Sequence, residues 1–116
     1  METLVIYQKP TCSTCRQVVK LAEASGQPYK AINYYEQPFT QATLKGLLQK
    51  GGIPAKDILR TKEDIYKSRK AEIAQMHDDD IIALMIEHPD LIQRPLVEKG
   101  EQVIMARPPE TLSKIL

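Results

Sequence analysis

Tyr7-Gln8-Lys9-Pro10-Thr11-Cys12-Ser13-Thr14-Cys15-Arg16 contains both cysteines of the chain. The apolar run Leu4-Val5-Ile6-Tyr7 ahead of it reads as a buried strand. Behind it, Cys15, Val18, Val19 and Ala22 recur at the i, i+3, i+4, i+7 spacing of one helical face. The cysteines therefore sit where a strand turns into a helix, with Pro10 and Thr11 as loop and cap residues that start the helix near Cys12. A first helical turn has unpaired N–H groups and the positive end of the helix dipole. A thiol placed there is stabilised as thiolate, the nucleophilic form, and Arg16 one turn on adds positive charge. Cysteines three apart at a helix start lie about 5–6 Å apart at Cα, within disulfide reach. Cys12 is expected to be the exposed attacking thiol and Cys15 the more buried one. A CxxC between strand and helix favours redox chemistry over two ordinary core cysteines. Zinc is disfavoured, because no second CxxC or nearby His pair completes four ligands.

Working outward, Gly26 is expected to stop the first helix in a left-handed conformation. Tyr29-Lys30-Ala31-Ile32-Asn33 is the next strand, parallel to the first across the helical crossover. Tyr34-Tyr35-Glu36-Gln37-Pro38 leaves the sheet. Thr40 then caps a helix with Leu44, Leu47 and Leu48 on one face, ended by Gly51-Gly52. Pro54 opens a short turn through Ile58, and Leu59-Arg60-Thr61 connects onward. Residues 62–74 are helical in pieces. Asp78 or Asp79 caps a helix with Ile81, Ile82, Met85 and Ile86 inward, which stops at His88 before Pro89. Leu96-Val97-Glu98 and Gln102-Val103-Ile104-Met105-Ala106 flank a Lys99-Gly100-Glu101 turn and read as a hairpin. Pro109 opens the last helix, with Leu112, Ile115 and Leu116.

The order is βαβ, helical block, ββα. That is an α/β thioredoxin-like mixed sheet with an all-helical insertion. The expectation is one domain over residues 1–116, with the sheet portion at about 1–38 and 89–116 and the insertion at about 39–88. In such folds a proline opens the third strand opposite the active cysteine. Pro95 fills that place, and the Arg94–Pro95 bond is expected to be cis.

Composition narrows the function. A chain of 116 residues supports a single core, and a net charge of +1 leaves no electrostatic footprint for nucleic acid. No signal-peptide pattern and no run of 18 apolar residues is present, which points to a cytoplasmic protein that neither spans a membrane nor is secreted. Monomer is the default. His77 with Asp78-Asp79-Asp80 offers a metal reading. Adjacent residues on a starting helix diverge in direction, however, and a cap with a favourable dipole charge explains them better. Lys62, Lys67, Arg69 and Lys70 form a basic cluster that reads as a solvated face, with an acidic partner as the minor alternative. The five tyrosines form no regular stripe.

The chain resembles the arsenate reductase family of the glutaredoxin-coupled type, with relatedness to the Spx-type redox regulators. The resemblance rests on the Cys12 loop, Leu59-Arg60, Glu87-His88-Pro89, Arg94-Pro95-Leu96-Val97 and Ala106-Arg107-Pro108-Pro109-Glu110. It implies that the Cys12 thiol attacks arsenate or a similar oxyanion, gripped by Arg60, Arg94 and Arg107. Guanidinium groups suit such anions through paired N–H donors. Glutathione then reduces the arsenic, and glutaredoxin or thioredoxin restores the thiol, with no bound cofactor and no metal. Cys15 departs from many reductases of this type and matches the Spx-type branch. It offers a second thiol that resolves an intermediate on Cys12 as an internal disulfide. The alternative function is thus an Spx-type regulator that binds RNA polymerase, switched by a Cys12–Cys15 disulfide, with Gly51-Gly52 at the polymerase-facing surface. A general disulfide reductase is a third reading.

Overall fold

Leu4 and Ile6, two apart on one strand, point to the same side of a pleated sheet and are fully buried, while the alternating Val5 and Tyr7 are half-buried. The computed structural model describes residues 2–116, in two compact units.

The sheet unit comprises residues up to Pro38 and Arg94–Leu116. Its strands are β1 (Leu4–Gln8), β2 (Tyr29–Asn33), β3 (Leu96–Lys99) and β4 (Gln102–Met105), arranged in space as β2-β1-β3-β4. β1 runs parallel to β2, with Leu4 opposite Tyr29, and antiparallel to β3, with Ile6 opposite Val97. β3 and β4 form the hairpin, with Leu96 opposite Met105, and Gly100 turns it at φ +59°. The chain between β1 and β2 forms helix α1 (Ser13–Ala24), and Gly26 follows it at φ +75°. Val18 and Ala22 of α1 pack with Leu4, Ile6, Val97, Ala106, Leu112 and Ile115 in one apolar cluster. Leu112 lies in a closing 3-10 helix, Pro109–Lys114. The Pro-Pro entry and the Ser113 hydroxyl bond to the Glu110 carbonyl (2.9 Å) suit a tight, short segment. This is the thioredoxin-like arrangement, with the helical segment inserted in sequence between β2 and β3.

The helical unit, Phe39–Gln93, has its own core. Helix α2 (Gln41–Gly51) starts at Thr40, whose hydroxyl accepts from Thr43 N (3.1 Å) while Thr40 N donates back to Thr43 Oγ1 (2.9 Å). It ends at Gly52 with φ +63°. Short helices α3 (Asp64–Ser68) and α4 (Lys70–Ile73) precede α5 (Asp78–Glu87). Leu44, Leu47 and Leu48 of α2 and Ile81, Ile82, Leu84 and Met85 of α5 are buried, along with Ala55 and Ile58 of a 3-10 turn.

Two local expectations are corrected. The N-cap of α5 is His77 rather than Asp78 or Asp79; its N–H donates to Asp80 Oδ2 (3.3 Å), and the three aspartates occupy the first turn. On the same helix Leu84 is buried and Ile86 only half-buried, because the apolar face is rotated slightly from the sequence pattern. The unit also runs past residue 88 to Gln93. Ile92 bridges Leu59, Arg60 N donates to Leu91 O (2.8 Å), and Gln93 N donates to Ile58 O (2.6 Å). No helix among the described residues is long and apolar enough to cross a membrane.

Candidate active site

β1 ends at Gln8, and the chain turns on Cys12 N donating to Lys9 O (2.9 Å). Cys12 is then itself the N-cap of α1, in extended conformation at φ −82° and ψ 122°. Its carbonyl takes the first helical hydrogen bond, from Arg16 N (3.1 Å), and its Sγ accepts from Cys15 N at 3.3 Å. Sequence reasoning gave the cap to Pro10 and Thr11. The sulfur does that work instead, as the acceptor that a serine or aspartate side chain supplies at other helix starts. A thiolate accepts such a bond better than a thiol, so the cap geometry and the reactive protonation state support each other.

Both thiols are free, Cys12 half-buried and Cys15 fully buried. Burial by itself raises the pKa of Cys12. It is outweighed by hydrogen bonds from the Cys15 thiol and N–H, by a hydrogen bond from the Arg107 guanidinium and by the charge of Arg94, so the net pKa is lowered. Cys15 moves the other way, to about 12. Burial leads, and its bond to the Cys12 sulfur adds to the rise. The pair therefore divides into an acidic, accessible sulfur and a protonated, buried donor. Arg16 is exposed, and the largest influences on the Cys12 thiol, burial apart, come from Cys15, Arg107 and Arg94.

The two arginines reach the sulfur through the hairpin. The Leu96–Met105 register, extended outward, sets Pro95 against Ala106 and Arg94 against Arg107. Ala106 N accordingly donates to Pro95 O (2.9 Å), and Arg107 Nη1 to Arg94 O (3.1 Å). Arg94 is 7% exposed, whereas Arg107 is an exposed residue. The Arg94–Pro95 peptide bond is cis, as is Arg107–Pro108, which sequence reading did not single out. Cys12, Cys15, Arg94, Pro95 and Arg107 thus all belong to the sheet unit. Arg60 belongs to the helical unit. There its Nη1 donates to Gln93 Oε1 (2.9 Å) and its Nε lies 3.6 Å from Glu63 Oε2.

Sequence reasoning missed Tyr34, Tyr35 and Lys9. Tyr34, buried immediately after β2, shares a hydrogen bond with Arg94 and stacks on Tyr35 at 5.0 Å between ring centres. Lys9 Nζ lies 4.8 Å above the Tyr35 ring. A signal was available. In a βαβ unit the C-terminal ends of both parallel strands share one edge, so residues 34–35 after β2 and residues 9–12 after β1 are neighbours.

Residues 7–115 match the model of the ArsC family. An arsenate reductase of Haemophilus influenzae is 32% identical over 116 residues, covering 98% of this chain and 99% of that protein. An uncharacterized Escherichia coli protein, YfgD, is 32% identical over 96% of this chain and 94% of its own length. The solved structure of an arsenate reductase from Vibrio cholerae superposes with a TM-score of 0.91 at 37% identity, covering 99% of this chain and 98% of that one.

Proposed function

The chain belongs to the ArsC family, and on that premise we propose that it is a thiol-dependent oxidoreductase that reduces arsenate to arsenite through an adduct on Cys12. The reading is supported chiefly by one feature: a half-buried sulfur at a helix N-cap, made more acidic by a protonated neighbour and two guanidinium groups. Arsenate is a tetrahedral anion near neutral pH. Arg94 and Arg107 offer it charge-assisted donors, and the N–H groups at the start of α1 offer more. Arg60 is assigned on the family resemblance as the third anion-binding arginine.

The reaction proceeds in three steps. The Cys12 thiolate attacks arsenic(V), an As–O bond breaks, and the oxygen leaves as water after protonation. A glutathione thiolate then attacks the Cys12 sulfur. The S–As bond breaks and its electron pair leaves with arsenic as arsenite, so one disulfide forms as arsenic gains two electrons. Glutaredoxin exchanges with that mixed disulfide and restores Cys12. Arginines hold and neutralise the anion throughout, and the chemistry draws on no metal or prosthetic group.

Cys15 supports a second route. Its sulfur already meets that of Cys12, and its attack on the mixed disulfide would release glutathione and leave an internal Cys12–Cys15 disulfide. The same disulfide is what an Spx-type, polymerase-binding regulator would use as a switch. Incubating wild type, Cys12→Ser and Cys15→Ser with arsenate, glutathione and glutaredoxin separates these readings. The reductase reading expects arsenite from wild type and none above background from Cys12→Ser. Retention in Cys15→Ser selects glutathione as the resolving thiol, and loss selects the internal disulfide. A folded wild type that makes no arsenite sinks the reading.

A further inference from the structure

Tyr34 has no part in the steps above, yet it is 1% exposed and sits among the groups that tune Cys12. Its backbone N–H donates to Gln8 O (3.3 Å), which ties it to the end of the strand that feeds the Cys12 loop. Its ring stacks on Tyr35 with planes 29° apart, so the phenol has little freedom to swing. Its oxygen shares a hydrogen bond with the Arg94 guanidinium, whose backbone carbonyl in turn accepts from Arg107. Arg94 is thus gripped at both ends, by Tyr34 at the side chain and by Arg107 at the main chain.

We infer that Tyr34 is a positioning residue for Arg94, an uncharged acceptor that fixes the guanidinium beside the Cys12 sulfur and leaves its positive charge undiminished. The choice of acceptor matters. Buried arginines are more often held by a carboxylate, which would cancel the charge and compete with an incoming anion. A phenol satisfies a donor without doing either. Burial keeps Tyr34 protonated, with its pKa pushed up to about 12. The groups facing Cys12 are Cys15 from α1 and Arg94 and Arg107 from the hairpin ends. Loosening Arg94 therefore acts on the thiol directly.

The test is Tyr34→Phe, which keeps the ring and removes the oxygen. The first readout is the pH profile of Cys12 alkylation by iodoacetamide, which is independent of any substrate. The midpoint should rise by about 0.5 unit, read as a roughly threefold slower reaction below the midpoint. The second readout rests on the arsenate reading: the arsenate concentration that halves the alkylation rate should rise about 3- to 10-fold. A Tyr34→Phe profile that overlays wild type in a folded protein overturns the inference, because a merely packing role survives that change. Failure of arsenate to protect wild type would count against the proposed function and leave the first readout standing. Wild-type NMR covers a variant that does not fold. Arg94 guanidinium protons should be resolved and show contacts to the Tyr34 ring; a freely averaging Arg94 without such contacts overturns the inference.

Discussion

Cys15→Ala removes the thiol donor that faces the Cys12 sulfur, leaving the backbone N–H of residue 15 and the Arg107 guanidinium in place and α1 otherwise intact. Hydrogen bonds to charged acceptors contribute about 1.5–3 kcal/mol, and a thiol is a weak donor, so about 1 kcal/mol is the fair figure. At about 1.4 kcal/mol per pKa unit, the Cys12 midpoint should rise by ~0.7 unit. Below the midpoint that is a roughly fivefold smaller thiolate fraction. Opposing this, the void left in the fully buried Cys15 site adds no charge and opens no path to water, so it should cost only about 1 kcal/mol of stability. The assay is the rate of Cys12 alkylation against pH, with thermal melts to verify the fold. Cys15→Ser is the control: it restores a hydroxyl donor at the same position and should recover most of the shift. A folded Cys15→Ala whose Cys12 midpoint stays put, or falls, refutes the division of the pair into acid and donor.

Three further outcomes are expected. The folded protein holds the Cys15 proton up to about 12, whereas the unfolded chain releases it near 9.0. Stability should therefore fall with rising pH across that window, by up to about 1.4 kcal/mol per unit from this group; urea melts of wild type should show the slope, and Cys15→Ala should remove this share of it, leaving the part that the buried Tyr34 phenol contributes above its ordinary 10.0. Arg94→Lys keeps the charge and loses the paired donors. It should raise the KM for arsenate about tenfold and, because an ammonium cannot keep the Tyr34-held geometry beside the sulfur, slow Cys12 alkylation below its midpoint by about threefold, as Tyr34→Phe does. In the helical unit, Thr40→Ala removes the reciprocal cap of α2 and Gly52→Ala forces a Cβ into a left-handed residue with open space around it. Each should cost about 1 kcal/mol in denaturant melts without touching Cys12 acidity.

Much of the architecture was readable because local signals agreed with one another. The 2-residue period of Leu4 and Ile6, the 3.6-residue period from Cys15 to Ala22, and Gly26 at the helix end leave one economical βαβ arrangement. The sulfur as cap was not readable. Cysteine is an uncommon N-cap, and Thr11 beside it is the better capping residue by propensity. His77 was missed for a related reason: three following aspartates advertise a cap more strongly than the histidine does. Tyr34 belongs to no stripe along a single element; its meaning comes from two parallel strands ending at one edge. Arg94 and Arg107 lay closer to hand. A hairpin turning at Lys99-Gly100-Glu101 sets residue 94 against 107 by register alone.

The chemistry proposed here depends on a Cys12 sulfur that is anionic where an ordinary thiol is not. Ultraviolet thiolate absorbance of the reduced wild type, followed against pH as the difference from Cys12→Ser and from Cys15→Ser so that the bands of the five tyrosines cancel, measures that directly. Two separate transitions are predicted, Cys12 below the ordinary 9.0 and Cys15 near 12. A single transition of both thiols at the ordinary value would contradict an activated nucleophile at this helix start.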